Sequence, residues 1–235
     1  MKNIPTSFVE LRFVQRILVI ILLLAGVSLQ EAKGQILAWD FNTHSGDSTS
    51  VFATTKSTGL QNSQISRGLG VSANALANSF SAGSWANNAT RSSAITEGEY
   101  FQFTLQPTSG YIASLTTLDA NFRRSGAQAP DNFEWQYSTD GTNFNTIGSS
   151  FTYTLTNTNG DAQTQINLSG ISALQNILPS TQITFRLYAW NAQTASTTFS
   201  LGRLTGNDIA IGGSIYDGAA LAFDGSDDFV DLFNI

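Results

Sequence analysis

The sequence contains no cysteine and a single histidine, His44. Without thiols there is no cysteine nucleophile and no disulfide to staple the fold, although an oxidising compartment stays permitted. His44 lies in the polar run THSGD beside Ser45 and Asp47. A Ser–His–Asp arrangement needs those groups to converge from separate elements, and three neighbours in one loop rarely do so. Charge is scarce too: 12% of residues are Asp, Glu, Lys or Arg, about half the usual share. Solubility therefore falls to hydroxyls and amides. No repeat of fixed period is visible, and the apolar run Ile17 to Val27 is too short to cross a bilayer comfortably.

That short run has a targeting context. Lys2, Arg12 and Arg16 precede it, and Ala32 and Gly34 are small residues at the −3 and −1 positions before Gln35. Residues 1–34 are therefore expected to be a signal peptide, with an N-terminal anchor as the alternative; cleavage would leave no transmembrane span. The segment holds four basic residues (Lys2, Arg12, Arg16, Lys33) and two acidic ones (Glu10, Glu31), so its removal takes the net charge from −6 to −8. An acidic surface repels phosphate backbones, which disfavours nucleic acid as a partner.

What is present reads as β-structure. The hydrophobic share of 41% is enough for a sizeable core and argues against disorder. In Thr181 to Asn191, Ile183, Phe185, Leu187 and Ala189 share one face of an extended chain, and Thr184, Arg186, Tyr188 and Trp190 the other. Two-residue alternation with an aromatic, amphipathic outer face suits a central strand. Ile36 to Phe41 is a first strand, and the polar passage from Asn42 to Thr96 reads as loops and short edge strands. Tyr100 to Leu105 follows. Tyr111 to Phe122 is next, with a bulge expected where Leu115 and Leu118 fall out of phase. Asn132 to Ser138 alternates cleanly, with Phe133, Trp135 and Tyr137 inward. Asp140-Gly141 is a hairpin turn into Asn143 to Ile147. Ile171 to Leu178, ended by Pro179, is the one helical-looking segment. Phe199 to Leu204 and Asp208 to Ile215 complete the domain. Roughly ten strands with one short helical segment indicate an all-β, antiparallel sandwich of jelly-roll type.

Four runs carry a resemblance: QYSTDGTNF (136–144), LSGISALQN (168–176), ITFRLYAWNA (183–192) and RLTGNDIAIGGSI (203–215). Together they resemble jelly-roll ectodomains of exported bacterial surface proteins, over residues 35–216. The strand order is similar, at the level of fold, to carbohydrate-binding-module sandwiches. Ala220 to Leu232, ALAFDGSDDFVDL, resembles the opening strand of a laminin-G or concanavalin-like domain. Residues 217–235 are thus expected to be the truncated start of such a domain, not independently folded.

These resemblances imply a compartment and a fold rather than a chemistry. The expectation is a secreted or cell-surface, non-catalytic recognition or adhesion module. The alternatives are a carbohydrate-binding module of a larger polysaccharide-acting enzyme and a structural spacer of an adhesin. A surface for polysaccharide or surface glycan needs exposed rings with amide or guanidinium neighbours. Tyr188, Trp190 and Asn191 qualify, and Trp85 with the Arg123-Arg124 pair are further candidates; the rings buried beneath the long loop are the competing expectation. Glu97 and Glu99, two apart, suit a solvated strand start better than a glycosidase pair. Glu134 and Arg186, both outward, suggest a cross-strand ion pair. Calcium is the most plausible ion. Asp40 ends the first strand and Asp208 begins the last, so both can reach a structural site of carboxylate and backbone oxygens.

Overall fold

The computed structural model describes residues 34–217. The signal-peptide and laminin-G-like expectations, apart from Gly34 and Asp217, lie outside the described residues. In chain order the strands begin with β1 (Gly34–Trp39), β2 (Ser50–Phe52), β3 (Thr55–Lys56), β4 (Gln64–Arg67), β5 (Ser72–Ala73) and β6 (Ser79–Gly83). A helix, α1 (Arg91–Glu97), precedes β7 (Tyr100–Leu105), β8 (Tyr111–Arg124), β9 (Asn132–Ser138) and β10 (Asn145–Thr152). The chain continues with β11 (Asp161–Ala162), β12 (Ile166–Asn167), β13 (Ile183–Trp190), β14 (Phe199–Gly202) and β15 (Ile209–Asp217).

Alternation along these strands sorts them into two sheets. One has six strands in the order β10-β9-β13-β7-β4-β2. The other runs β3-β1-β15-β8-β14-β6-β5, with β11 and β12 also paired to β8. Neighbours within both sheets are antiparallel, and the architecture is a jelly-roll β-sandwich with one short helix. The stretch around Ile183 is central as expected, since β13 pairs with β7 over Ile183 to Tyr188 and with β9 over Thr184 to Trp190.

The core lies between the sheets and is largely aromatic. Trp39, Phe41, Phe80, Phe101, Phe103, Phe122, Phe133, Phe185 and Phe199 are fully buried. Phe133 and Phe199 meet across the sheets with ring centroids 4.6 Å apart. Each such side chain contributes about 1.5–3 kcal/mol by leaving water. Register supports this packing at β8. Gly212 of β15 faces Thr117 and Gly213 faces Leu115, so Thr116 is an extra residue in the ladder. The bulge lets both Leu115 and Leu118 point into the core despite their odd spacing.

Two arginines enter this interior. Arg67 lies on the inward face of β4, opposite Phe101. Its guanidinium donates to the carbonyls of Ser81, Ser48 and Gly46 at 2.6–2.8 Å and stacks 3.8 Å over the Phe80 ring. Burial pulls its pKa down to about 10.

The helix is where sequence and structure part. Ile171 to Leu178 contains only a single 3-10 turn, Ser172–Leu174. The α-helix lies instead inside the long polar passage. Thr90 caps it, accepting from Ser93 N, while Ser93 Oγ accepts from Thr90 N, and Gly98 at φ 79° closes it. With seven residues and only Ala94 buried, it has no apolar stripe to announce it. Glu97 is therefore the last residue of a helix, not half of a strand pair with Glu99. Among the described residues no helix is long and apolar enough to cross a membrane.

Candidate functional site: the outer face of the six-stranded sheet

The outward side chains of three adjacent strands form one surface. β13 supplies Thr184, Arg186, Tyr188 and Trp190, β9 supplies Asn132, Glu134, Gln136 and Ser138, and β7 supplies Tyr100, Gln102 and Thr104. Their inward neighbours are the buried residues of the core, so alternation places this set on the outer side. There Thr184, Tyr188, Glu134, Gln136 and Ser138 are nonetheless buried under their neighbours, and Arg186, Trp190, Asn132, Tyr100, Gln102 and Thr104 stay partly exposed. Register then aligns Ser66 of β4, Gln102, Arg186, Gln136 and Thr146 of β10 in a single cross-strand row. At about 4.8 Å per strand the row is about 19 Å long.

Arg186 is its centre. The guanidinium carbon is 4.2 Å from the Tyr100 ring centroid and 3.9 Å from that of Phe144, so both faces are covered by rings. Nε donates to Gln102 Oε1 at 2.7 Å and Nη1 to Tyr188 Oη at 3.1 Å. Tyr188 is buried beneath this group and meets Tyr100 edge-on at 5.3 Å. Arg186, Tyr100, Gln102 and Phe144 stay partly exposed.

Beside it, helix α1 delivers a second charged group. Arg91, the first helical residue, forks onto Glu134 through Nε at 2.8 Å and Nη2 at 2.5 Å. Gln136 Nε2 and Thr146 Oγ1 also donate to Glu134. Burial acts to raise the Glu134 carboxyl, but these donors outweigh it together and hold the group below its ordinary value. The expected Glu134–Arg186 ion pair does not form. Glu134 sits opposite Tyr188, not Arg186, and its partner comes from a helix that alternation could not show.

The other expected residues fall as follows. Trp190 is half-buried at the end of β13, opposite Asn132. Asn191, at φ 67°, donates through Nδ2 to Asp131 Oδ1. These two extend the face beyond Tyr188. Trp85 is fully buried, its Nε1 bonded to Ala82 O and its ring edge-on to Phe101 and Phe199; it has no free face for a ligand. Arg124 is equally buried. It donates to the carbonyls of Pro130, Thr154, Ala127 and Ala129, which occupies the guanidinium in holding the 125–131 loop. Arg123, its neighbour on β8, belongs to the other sheet and donates to Thr198 Oγ1. None of these three reaches the face around Arg186, because they sit on other layers of the sandwich.

Asp40 and Asp208 do come close. Asp208 Oδ2 accepts from Phe41 N and Oδ1 from Asn121 Nδ2. Burial pushes the Asp208 carboxyl up to about 6; the Phe41 and Asn121 donors partly hold it down, and the charge of Asp40 adds to the rise. Asp40 Oδ1 accepts from Asn42 N. Among the described residues no cluster of three or more His, Asp or Glu side chains is arranged for a metal, so an ion at this pair would draw its remaining ligands from backbone oxygens and water. His44 packs edge-on against Phe41, and Ser45 donates to Asp47 rather than to His44.

A further concavity of about 410 Å3 opens at one lateral edge between the sheets. Leu118, Trp135 and Ile147 line it, and the mouth is formed by Gly148, Ser149 and Gln163 to Gln165. It follows from the β10 register: residues 148–150 stand against Glu134 alone, and the strand bows away at Gly148, φ 69°.

Of the residues on this face, Tyr188 and Trp190 are candidates by sequence, whereas Tyr100, Gln102, Gln136 and Phe144 are not among them. The first three were legible as outward positions of EYFQFTL and NFEWQYS. Phe144 was not, since only the hairpin geometry swings it over Arg186.

No family model matches the chain, and no curated protein matches it. Solved structures do. One is a carbohydrate-binding module, CBM28, specific for non-crystalline cellulose; TM-score 0.38, 9% identity, over 78% of this chain and 92% of that one. Another is an arabinose-bound GH51 α-L-arabinofuranosidase; TM-score 0.34, 13% identity, over 77% of this chain and 26% of that one. At these TM-scores neither likeness carries an argument about this chain.

Proposed function

We propose that this domain is an exported, non-catalytic glycan-recognition module and that the outer face of β13, β9 and β7 is its binding surface. The observation that supports it is the row from Ser66 to Thr146, in which Ser66, Gln102, Arg186 and Thr146 keep hydroxyl, amide and guanidinium groups at least partly exposed and the partly exposed rings of Tyr100 and Phe144 pack against Arg186. Rings stack on the apolar faces of sugars, and amides and hydroxyls satisfy their hydroxyl groups. The strand ladders on both sides hold these groups in place before any ligand arrives, which limits the entropy lost on binding. Trp190 extends the surface toward Asn132 and Asn191. The adhesin-spacer reading gives these groups no task.

The test is isothermal titration of the protein against a panel of soluble polysaccharides. Binding to at least one member, lost in a Tyr100→Ala, Trp190→Ala double variant of unchanged melting temperature, is expected. Binding that survives this variant would remove the face from consideration. Mass spectrometry of the exported protein should give an N-terminus at or near Gln35.

A further inference from the structure

The charge on this face points to a particular class of glycan. We propose that the glycan carries carboxylates, as a polyuronate does, and that Arg186 receives them. The inference rests on the glycan-recognition reading of the face.

Three features carry it. First, the outward set on β13, β9 and β7 contains one acidic side chain, Glu134, and Arg91 neutralises it. Arg186 has no carboxylate partner among the described residues; its protein partners are a neutral amide and a phenol. A fixed cation left uncompensated in a net acidic chain is a local exception to the molecule's charge.

Second, the guanidinium is held so that one edge remains. Tyr100 and Phe144 cover its two faces. Gln102 takes the Nε–H, and Tyr188 takes one N–H of Nη1. The Nη2 hydrogens and the second N–H of Nη1 have no partner among the described residues. Those donors lie in the guanidinium plane and form the fork that fits a planar carboxylate with two parallel hydrogen bonds.

Third, cation–π contact on both faces stabilises the charged group without neutralising it. A neutral sugar hydroxyl would use such a donor singly; a carboxylate uses the fork and the charge together. Repulsion from the acidic remainder of the protein is screened beyond about 8 Å at physiological ionic strength.

The experiment titrates the protein with oligogalacturonate, dextran sulfate and a neutral cello-oligosaccharide. Oligogalacturonate should bind, and more weakly as salt rises from about 20 to about 300 mM. Arg186→Gln should lower that affinity about tenfold to a hundredfold, the loss expected for a charge-assisted pair. Arg186→Lys, which keeps the charge but not the fork, should fall between. Circular dichroism melts identify any variant that fails to fold, and Phe144→Ala then serves as the alternative, since it frees the guanidinium from its sandwich and should weaken oligogalacturonate binding. Preference for dextran sulfate would assign the site to sulfate esters and overturn the carboxylate inference. Binding of the neutral oligosaccharide alone, unaffected by Arg186→Gln, would overturn it too while leaving the module reading intact. Binding of none of the three, nor of any other glycan, would overturn the module reading itself.

Discussion

Single side chains decide more of this fold than its sparse charge suggests. Arg67 ties three carbonyls of the 46–48 and 81 segments to the inner face of β4. Truncation to Met fills part of the volume but takes the donor from Ser48 O, while Gly46 O and Ser81 O keep the Ser81 and Asn74 backbone N–H groups, at a cost of about 1–3 kcal/mol. Urea denaturation of Arg67→Met should show that loss, and a change below about 0.5 kcal/mol would mean water replaces the guanidinium. Glu99 is the opposite case, a buried carboxyl with one satisfied oxygen. Oε1 accepts from Ala86 N, and Oε2 is buried with no partner among the described residues. Burial pushes its pKa above the ordinary carboxylate value; the Ala86 N–H pulls part of this back, and Glu97 adds to the rise. A carboxyl raised by folding contributes stability that is complete below its unfolded pKa and is lost as pH climbs through the folded value. Stability relative to Glu99→Gln should therefore decline as pH rises from about 4. Denaturation curves of both proteins at several pH values check the sign, and a difference that grows in the wild type's favour would refute it.

At the scale of elements, the recognition face depends on how α1 meets β4. Gly68, just after β4, has no room for a side chain: a Cβ there would stand 2.0 Å from Gly98 O and 2.9 Å from the Tyr100 ring. Gly68→Ala must push the helix C-cap or Tyr100 away, at about 1–3 kcal/mol. The variant should melt lower and bind glycan more weakly, because Tyr100 is one wall of the Arg186 sandwich. Intact affinity with a lowered melting temperature would separate the helix from the face. Legibility at this scale follows burial. β13, β9 and β7 were readable because each has one face in the core and one outside, which writes a period of two into the sequence. The bulge at Thr116 was readable for the same reason, as a break in that period. Helix α1 was not, because seven residues with one buried side chain carry no period, and only the Thr90–Ser93 box and Gly98 mark its ends.

The whole sandwich is closed where the first strand meets the last. β1 pairs with β15 from Gly34–Gly213 to Trp39–Ile209, and Asp40 and Asp208 follow directly at that end. The proposed structural calcium would sit there and tie the two ends of the domain together. Chelator should then lower the melting temperature, and Asp208→Ala should abolish that response. An identical melting curve with and without chelator would leave Asp208 as a hydrogen-bonded buried carboxyl bridging Phe41 and Asn121.

The sequence by itself determined the class of fold, the central strand and which side chains along it face outward. Those properties are local: alternation, turn residues and the absence of cysteine act within a few residues. Tertiary structure alone decided which outward side chains meet. Arg186 and Glu134 looked like partners because both point outward on clearly alternating strands. Register set Glu134 opposite Tyr188, α1 brought Arg91 to it, and the hairpin laid Phe144 on Arg186. Trp85 and Tyr188 are buried, as the expectation of rings covered by neighbouring chain has it, and packing also buried Arg124, a ligand candidate by type alone. Pairing between residues tens of positions apart depends on sheet order and layer. Neither leaves a mark on the residues one strand at a time.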